Sequence, residues 1–123
     1  MKNILILFII IFNICSLAHS KETSFTSSEF QKSQNEGKTV VIHSWNKTCI
    51  TCAEQVKILD QAKEDFNDVI FMSFEQTKDK KIAEFLNIDY WTTIVVYKGF
   101  KEVSRTIGQT NKNEIYSQIK LLE

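Results

Sequence analysis

Two cysteines separated by two residues, in Cys49-Ile50-Thr51-Cys52, form the most chemically specific feature of this 123-residue sequence. A β-branched and aromatic run, Thr39–Trp45 (TVVIHSW), precedes them, followed by the polar turn Asn46-Lys47-Thr48. After them, apolar side chains recur every three or four positions at Ala53, Val56, Leu59, Ala62 and Phe66. This pattern predicts a buried strand, a turn, and a helix opening at Cys49. A sulfur at a helix start faces unpaired backbone N–H groups and the positive end of the helix dipole, which favour its anionic form. The thiolate is the nucleophile in disulfide exchange, so this placement makes Cys49 reactive. Cys52, one turn later on the same side, can resolve a mixed disulfide formed at Cys49. Lys47 adds a nearby positive charge.

The spacing alone admits other uses. Zinc sites also employ C-x-x-C, but a structural zinc needs four ligands. Beyond residue 20 the sequence offers only Cys49, Cys52 and the single histidine His43, so two carboxylates would have to assist. A purely structural disulfide also stays open, although so short a loop constrains the unfolded chain little. A hydrolase built on Cys49 is disfavoured: His43 lies on the strand leading into the cysteine, and Cys52 would oxidise it.

The first twenty residues differ from the rest. A short basic start, Met1-Lys2-Asn3, leads into the apolar run Ile4–Phe12, and Ala18-His19-Ser20 supplies small residues at the −3 and −1 positions of a cut after Ser20. This is the layout of a secretory signal peptide. The apolar run is short for a retained anchor, which needs about 20 residues. Cys15 is not read as a lipidation site, because Ile14 stands where a small residue is wanted. The segments are therefore residues 1–20, a signal peptide, and residues 21–123, one domain. Only Lys2 leaves with the signal, giving 14 basic and 15 acidic side chains and a net charge of −1. No basic surplus points to nucleic acid. The expected location is periplasmic or secreted, where cysteines tend to pair.

The elements that must position the pair follow from pattern. Lys21–Thr26 reads as frayed. Thr26 and Glu29 form a capping box for a helix through about Asn35, ended by Gly37. Val69–Phe74 is a second strand. Residues 78–87 form a helix with Ile82, Phe85 and Leu86 inward. Thr93–Tyr97 and Glu102–Ile107 form a hairpin around Lys98-Gly99, and a last helix starts at Asn111 with Ile115, Ile119 and Leu122 on its apolar side. The order α, β, α, β, α, β, β, α implies an α/β fold, with a mixed sheet of about four strands flanked by helices.

The stretch VVIHSWNKTCITC, with Trp45 four residues before Cys49, and the later IDYWTTIVVYKGFKE segment resemble thioredoxin. The likeness covers roughly residues 25–122 and implies the thioredoxin fold. It implies protein-disulfide oxidoreductase activity, with Cys49 attacking and Cys52 resolving and no bound cofactor or metal. Trp45 matches the tryptophan beside the family's active site, and Gly108 matches a glycine bordering its substrate groove. Trp91 and Thr92 fall beside that groove as further substrate-binding candidates, and Tyr90 and Phe100 could add apolar contacts.

Three departures stand out. Thr92 occupies the place of the family's cis-proline, which helps dock substrate and keeps metal from the sulfurs. A trans bond with a reshaped groove is the expectation, since a cis bond before a non-proline residue costs about 2.5–4 kcal/mol. His43 occupies the place of a buried aspartate beneath the resolving cysteine. There it would relay the proton of Cys52, or else serve as a core histidine bonded to backbone. Strand alternation puts His43 and Trp45 on one face. Finally, Ile50-Thr51 lacks a histidine inside the motif, which favours a reductant over an oxidant, and Thr48 replaces the tryptophan usual before the first cysteine. The resemblance implies action on protein thiols and disulfides, and a monomer is expected; a reductant outside the cytosol needs its electrons resupplied, which points to a membrane thiol donor, and the signal segment is the expected membrane contact. Other readings are an oxidase or isomerase, a non-catalytic binding module of the same fold, and a metal carrier using the same cysteines.

Overall fold

The computed structural model describes residues 23–121. The signal segment 1–20 and Leu122 lie outside the described residues. Nine elements follow one another: β1 (Thr23–Ser24), α1 (Ser27–Asn35), β2 (Thr39–Trp45), α2 (Ile50–Asp65), β3 (Ile70–Glu75), α3 (Lys80–Leu86), β4 (Thr93–Lys98), β5 (Lys101–Ile107) and α4 (Lys112–Lys120). The strands form one sheet in the order β1-β3-β2-β4-β5. β1, β3 and β2 run parallel, β4 is antiparallel to β2, and β5 is antiparallel to β4.

Position in the sheet explains composition. β2 lies at the centre, and Val40 through Ser44 are all buried, as expected of a strand covered on both faces. Its alternate residues enter two cores. Val40 and Ile42 join Phe30 of α1, Ala83 and Leu86 of α3, Met72, Phe74 and Val95. Val41 joins Leu59 and Ala62 of α2, Ile115 and Ile119 of α4, Phe71, Ile94 and Val96. Thus α1 and α3 cover one face, and α2 and α4 cover the other. His43 shares the parity of Val41 and faces α2.

The starts of α1 and α4 are capped by side chains. Thr26 Oγ1 accepts the Glu29 N–H at 3.3 Å, and Asn111 Oδ1 accepts the Glu114 N–H at 3.2 Å. α3 has no side-chain N-cap and begins at Lys80, two residues later than expected. Its other end closes on Asn87 in the left-handed region, φ 52°, and Arg105 of β5 donates to the Leu86 and Asn87 carbonyls.

Three expectations need correction. The stretch expected to fray contains β1, a fifth strand, which pairs with Met72 and Ser73 of β3. Phe25, buried just beyond it, anchors this edge. Phe85 is half exposed rather than inward; Ala83 and Leu86 fill the short helix's core stripe, leaving the Phe85 ring at the rim against Phe25 and Phe30. Ala53 is exposed, because the buried stripe of α2 runs through Cys52, Gln55, Leu59 and Ala62.

Candidate active site

The chain turns from β2 into α2 through an Asx turn. Asn46 Oδ1 accepts from both the N–H and the hydroxyl of Thr48, at 3.2 and 3.3 Å, and the Asn46 carbonyl accepts the Cys49 N–H at 3.2 Å. This delivers Cys49 as the N-cap of α2, with extended backbone (φ −90°, ψ 107°). Its Sγ takes the part usually played by a capping oxygen, accepting the Cys52 N–H at 3.0 Å. The sulfur therefore sits where a helix start stabilises negative charge.

Cys49 and Cys52 are joined in a disulfide with their Cα atoms 5.2 Å apart. The two sulfurs differ in access: Cys49 is partly exposed and Cys52 is buried at 2%. A partner's thiolate can reach only the first, while the second is held for the intramolecular step.

The next buried position along α2 belongs to a buried polar group, and its hub is a residue that sequence reasoning missed. Gln55, one turn after Cys52, is fully buried. Its Oε1 lies 3.0 Å from His43 Nε2. Its Nε2 donates to the carbonyls of Thr92 and Gln109, each at 3.0 Å. His43 is itself 1% exposed. The signal that could have found Gln55 is its place in the stripe Cys52–Gln55–Leu59–Ala62, at helical spacing.

Thr92 stands at the junction of these elements. All peptide bonds among the described residues are trans, including Trp91–Thr92. Thr92 adopts φ +64°, which is rare for a β-branched residue. Three hydrogen bonds hold it: its N–H to the Ser44 carbonyl at 2.8 Å, its carbonyl from the Gly108 N–H at 3.0 Å, and its carbonyl from Gln55. Proline could not replace it in this conformation, because its ring fixes φ near about −65° and removes the N–H. Gly108, also at positive φ (72°), is exposed, and its N–H ties the end of β5 to Thr92. Ser44 hydrogen-bonds Gln76, whose amide donates to the Ile88 carbonyl at 2.8 Å, tying β2 to the loop that carries Trp91.

Trp45 ends β2 half-buried and lines a cleft with Phe25, Phe74, Ile82, Lys47 and Lys78. Trp91 and Tyr90 are exposed beside Thr92, as are Ile50 next to Cys49 and Ile107 at the end of β5. These four side chains give the cysteine end an apolar rim. Phe100 is exposed too, but it occupies the β4–β5 turn, at the end of β4 opposite Thr92. It is therefore remote from the cysteines, contrary to its candidacy.

The thioredoxin family model matches residues 21–121. The chain is 25% identical over 84 residues to thioredoxin-2 of Saccharomyces cerevisiae, covering 68% of this chain and 81% of that one. It is 26% identical over 93 residues to an H-type thioredoxin of Fagopyrum esculentum, covering 76% of this chain and 79% of that one. Among solved structures, oxidised mitochondrial thioredoxin 3 of S. cerevisiae superposes with a TM-score of 0.72 at 22% identity, covering 85% of this chain and 98% of that one. With a five-stranded mixed sheet and four helices among the described residues, and a disulfide at the start of α2, this chain belongs to the thioredoxin family.

Proposed function

We propose that this thiol–disulfide oxidoreductase reduces disulfides in exported polypeptides. The observation that carries the reading is the asymmetry of the pair: an accessible sulfur capping a helix, bonded to a buried one. In the reduced protein, the Cys49 thiolate attacks a sulfur of the partner's disulfide, forming a mixed disulfide and releasing one partner thiolate, which takes up a proton. Cys52 then loses its proton to His43 and attacks Cys49 Sγ. The Cys49–partner bond breaks, the second partner thiolate leaves, and it takes up the proton. The partner gains two electrons and two protons, and the protein is left with the Cys49–Cys52 disulfide.

Ile50, Tyr90, Trp91 and Ile107, all exposed, suit a polypeptide with apolar side chains beside its disulfide. The match of Trp45, Thr92 and Gly108 to thioredoxin's groove positions supports assigning them to the same binding surface. The absence of histidine between the cysteines supports the reducing direction. The signal-peptide pattern of residues 1–20 supports work in the periplasm or outside the cell, where a reductant must be resupplied with electrons, as a membrane thiol carrier would do.

Insulin reduction is the direct test. The wild-type protein, supplied with a dithiol, should precipitate insulin B chain, and Cys49→Ser should abolish this activity. Wild-type protein with no activity above the variant overturns the catalytic reading and leaves a binding module. Equilibration with glutathione tests direction: a potential near about −270 mV supports a reductant, and one near about −120 mV overturns it in favour of an oxidant.

A further inference from the structure

A glutamine with no exposure, on a helix stripe otherwise filled by Cys52, Leu59 and Ala62, calls for a reason. Burying an amide is costly unless its hydrogen bonds are all made. Gln55 makes three, and they tie residues 43, 92 and 109 to α2. A leucine would fill the same space but would leave the Gln109 carbonyl without this donor. Satisfying two loop carbonyls is thus a sufficient structural role for the amide nitrogen. It does not account for the third bond.

The chemistry of that third bond is constrained. Backbone carbonyls can only accept, so the end of Gln55 that meets Thr92 and Gln109 must be its NH2 group. The end that meets His43 is then its oxygen, which also can only accept. The hydrogen between them must sit on His43 Nε2. A neutral His43 therefore carries its proton on Nε2, and Nδ1 is the atom able to take another. The neutral ring's tautomer follows from two backbone carbonyls, one in the loop before β4 and one in the loop after β5.

We propose that Gln55 is a positioning residue for disulfide exchange: it fixes which nitrogen of His43 takes up the proton, and it couples that ring to the two loops that carry Thr92 and Gln109. The inference rests on the exchange reading above and deepens it. When Nδ1 accepts a proton, the Nε2–H bond to Gln55 becomes charge-assisted and strengthens. The amide thus stabilises the protonated ring without moving. The same bonds hold Thr92, with its positive φ, against α2, so a partner that displaces the Thr92 or Gln109 loop also loosens the histidine.

The test has two arms. In uniformly 15N-labelled wild-type protein, above the pH at which His43 titrates, ring nitrogen shifts should report Nε2 as protonated and Nδ1 as bare. A neutral ring protonated on Nδ1, or a mixture, overturns the proposal, and this arm needs no variant to fold. In Gln55→Met, the neutral ring should gain the Nδ1–H form. Its pH–rate midpoint for insulin reduction should move, and exchange at neutral pH should slow several-fold, up to about tenfold, the scale of one lost hydrogen bond. An unchanged tautomer and pH profile in Gln55→Met overturns the role assigned here. If the wild-type protein fails to reduce insulin, the exchange reading falls, while the ring shifts still judge the geometry.

Discussion

Two buried regions of this molecule are built by opposite means. On the α1/α3 face, Phe30 meets Phe25 and Tyr97 with ring centroids 5.5 and 5.1 Å apart, and Phe85 closes the rim. Shape and area hold that region, with tilted and edge-on ring contacts adding to the burial. At the cysteine end of the α2/α4 face, His43 and Gln55 are as deeply buried as any phenylalanine, and Gln118 is 5% exposed. Gln118 repeats the device of Gln55, accepting from the Thr106 hydroxyl at 3.0 Å and donating to the Ile94 carbonyl at 3.2 Å. Apolar residues would fill such space more cheaply. The first region can be repacked by any side chains of similar volume. The second specifies geometry, because each amide has a unique set of partners. Such local exceptions to simple core-building are expected where a protein does chemistry.

The comparison breaks first at Phe30. Its ring is 3% exposed and touches three other rings. Phe30→Ala should cost about 3–5 kcal/mol, a large share of a small domain's total, read as a fall in the urea midpoint at unchanged slope. The exchange rate per folded molecule should stay at the wild-type value, because no bond of the polar region involves this face of α1. A variant that unfolds normally but exchanges slowly would show that the two regions are coupled.

The sequence makes one of these regions far more legible than the other. Helix starts at Thr26, Cys49 and Asn111, and the apolar runs of β2 and β4, are local patterns, and the structure places them as read. Gln55 is different. A polar residue three positions after Cys52 looks like solvent face until β2, the loop before β4 and the loop after β5 are brought against it. Those partners lie 12, 37 and 54 residues away. β1 escaped notice for a related reason: two polar residues carry no strand pattern, and their pairing depends on β3 and on the burial of Phe25. The trans bond expected at Thr92 is present, yet its left-handed backbone is set by Ser44, Gly108 and Gln55 together.

A second probe uses a polar contact of the α2/α4 face that lies away from the cysteines. The Tyr116 hydroxyl donates to Asp65 Oδ2 at 2.6 Å, and its ring packs edge-on against Phe66. Burial, followed by the hydrogen bond and the negative charge of Asp65, pushes the Tyr116 phenol up to about 12 from its usual 10.0. Because the folded value is raised, its stabilising contribution is complete below pH 10 and is lost as pH climbs through about 12. Tyr116→Phe should cost about 0.5–1 kcal/mol near neutrality, at the low end because the pair is exposed to solvent. The gap between wild type and variant in urea unfolding should close across that alkaline window. A gap that widens with pH would mean the hydroxyl does not donate to Asp65, and exchange should be untouched throughout.

The last expected effect is of similar size but opposite sign, and it lies inside the polar region. Thr92 holds φ +64°, where an ordinary L-residue is disfavoured by roughly 1–2 kcal/mol and a β-branched one has least excuse to be. Asparagine tolerates the same backbone because its short polar side chain is compatible with it. Thr92→Asn keeps the N–H to Ser44 and the carbonyl to Gly108 and Gln55, since all three bonds are to the main chain. It should therefore stabilise the protein by about 0.5–1 kcal/mol, a gain of a few degrees in Tm, while leaving the His43 tautomer unchanged. A loss of stability would place the threonine methyl or hydroxyl in a contact worth more than the strain. The groove beside Cys49 would then owe its shape to that side chain as well as to the backbone bonds that bend it.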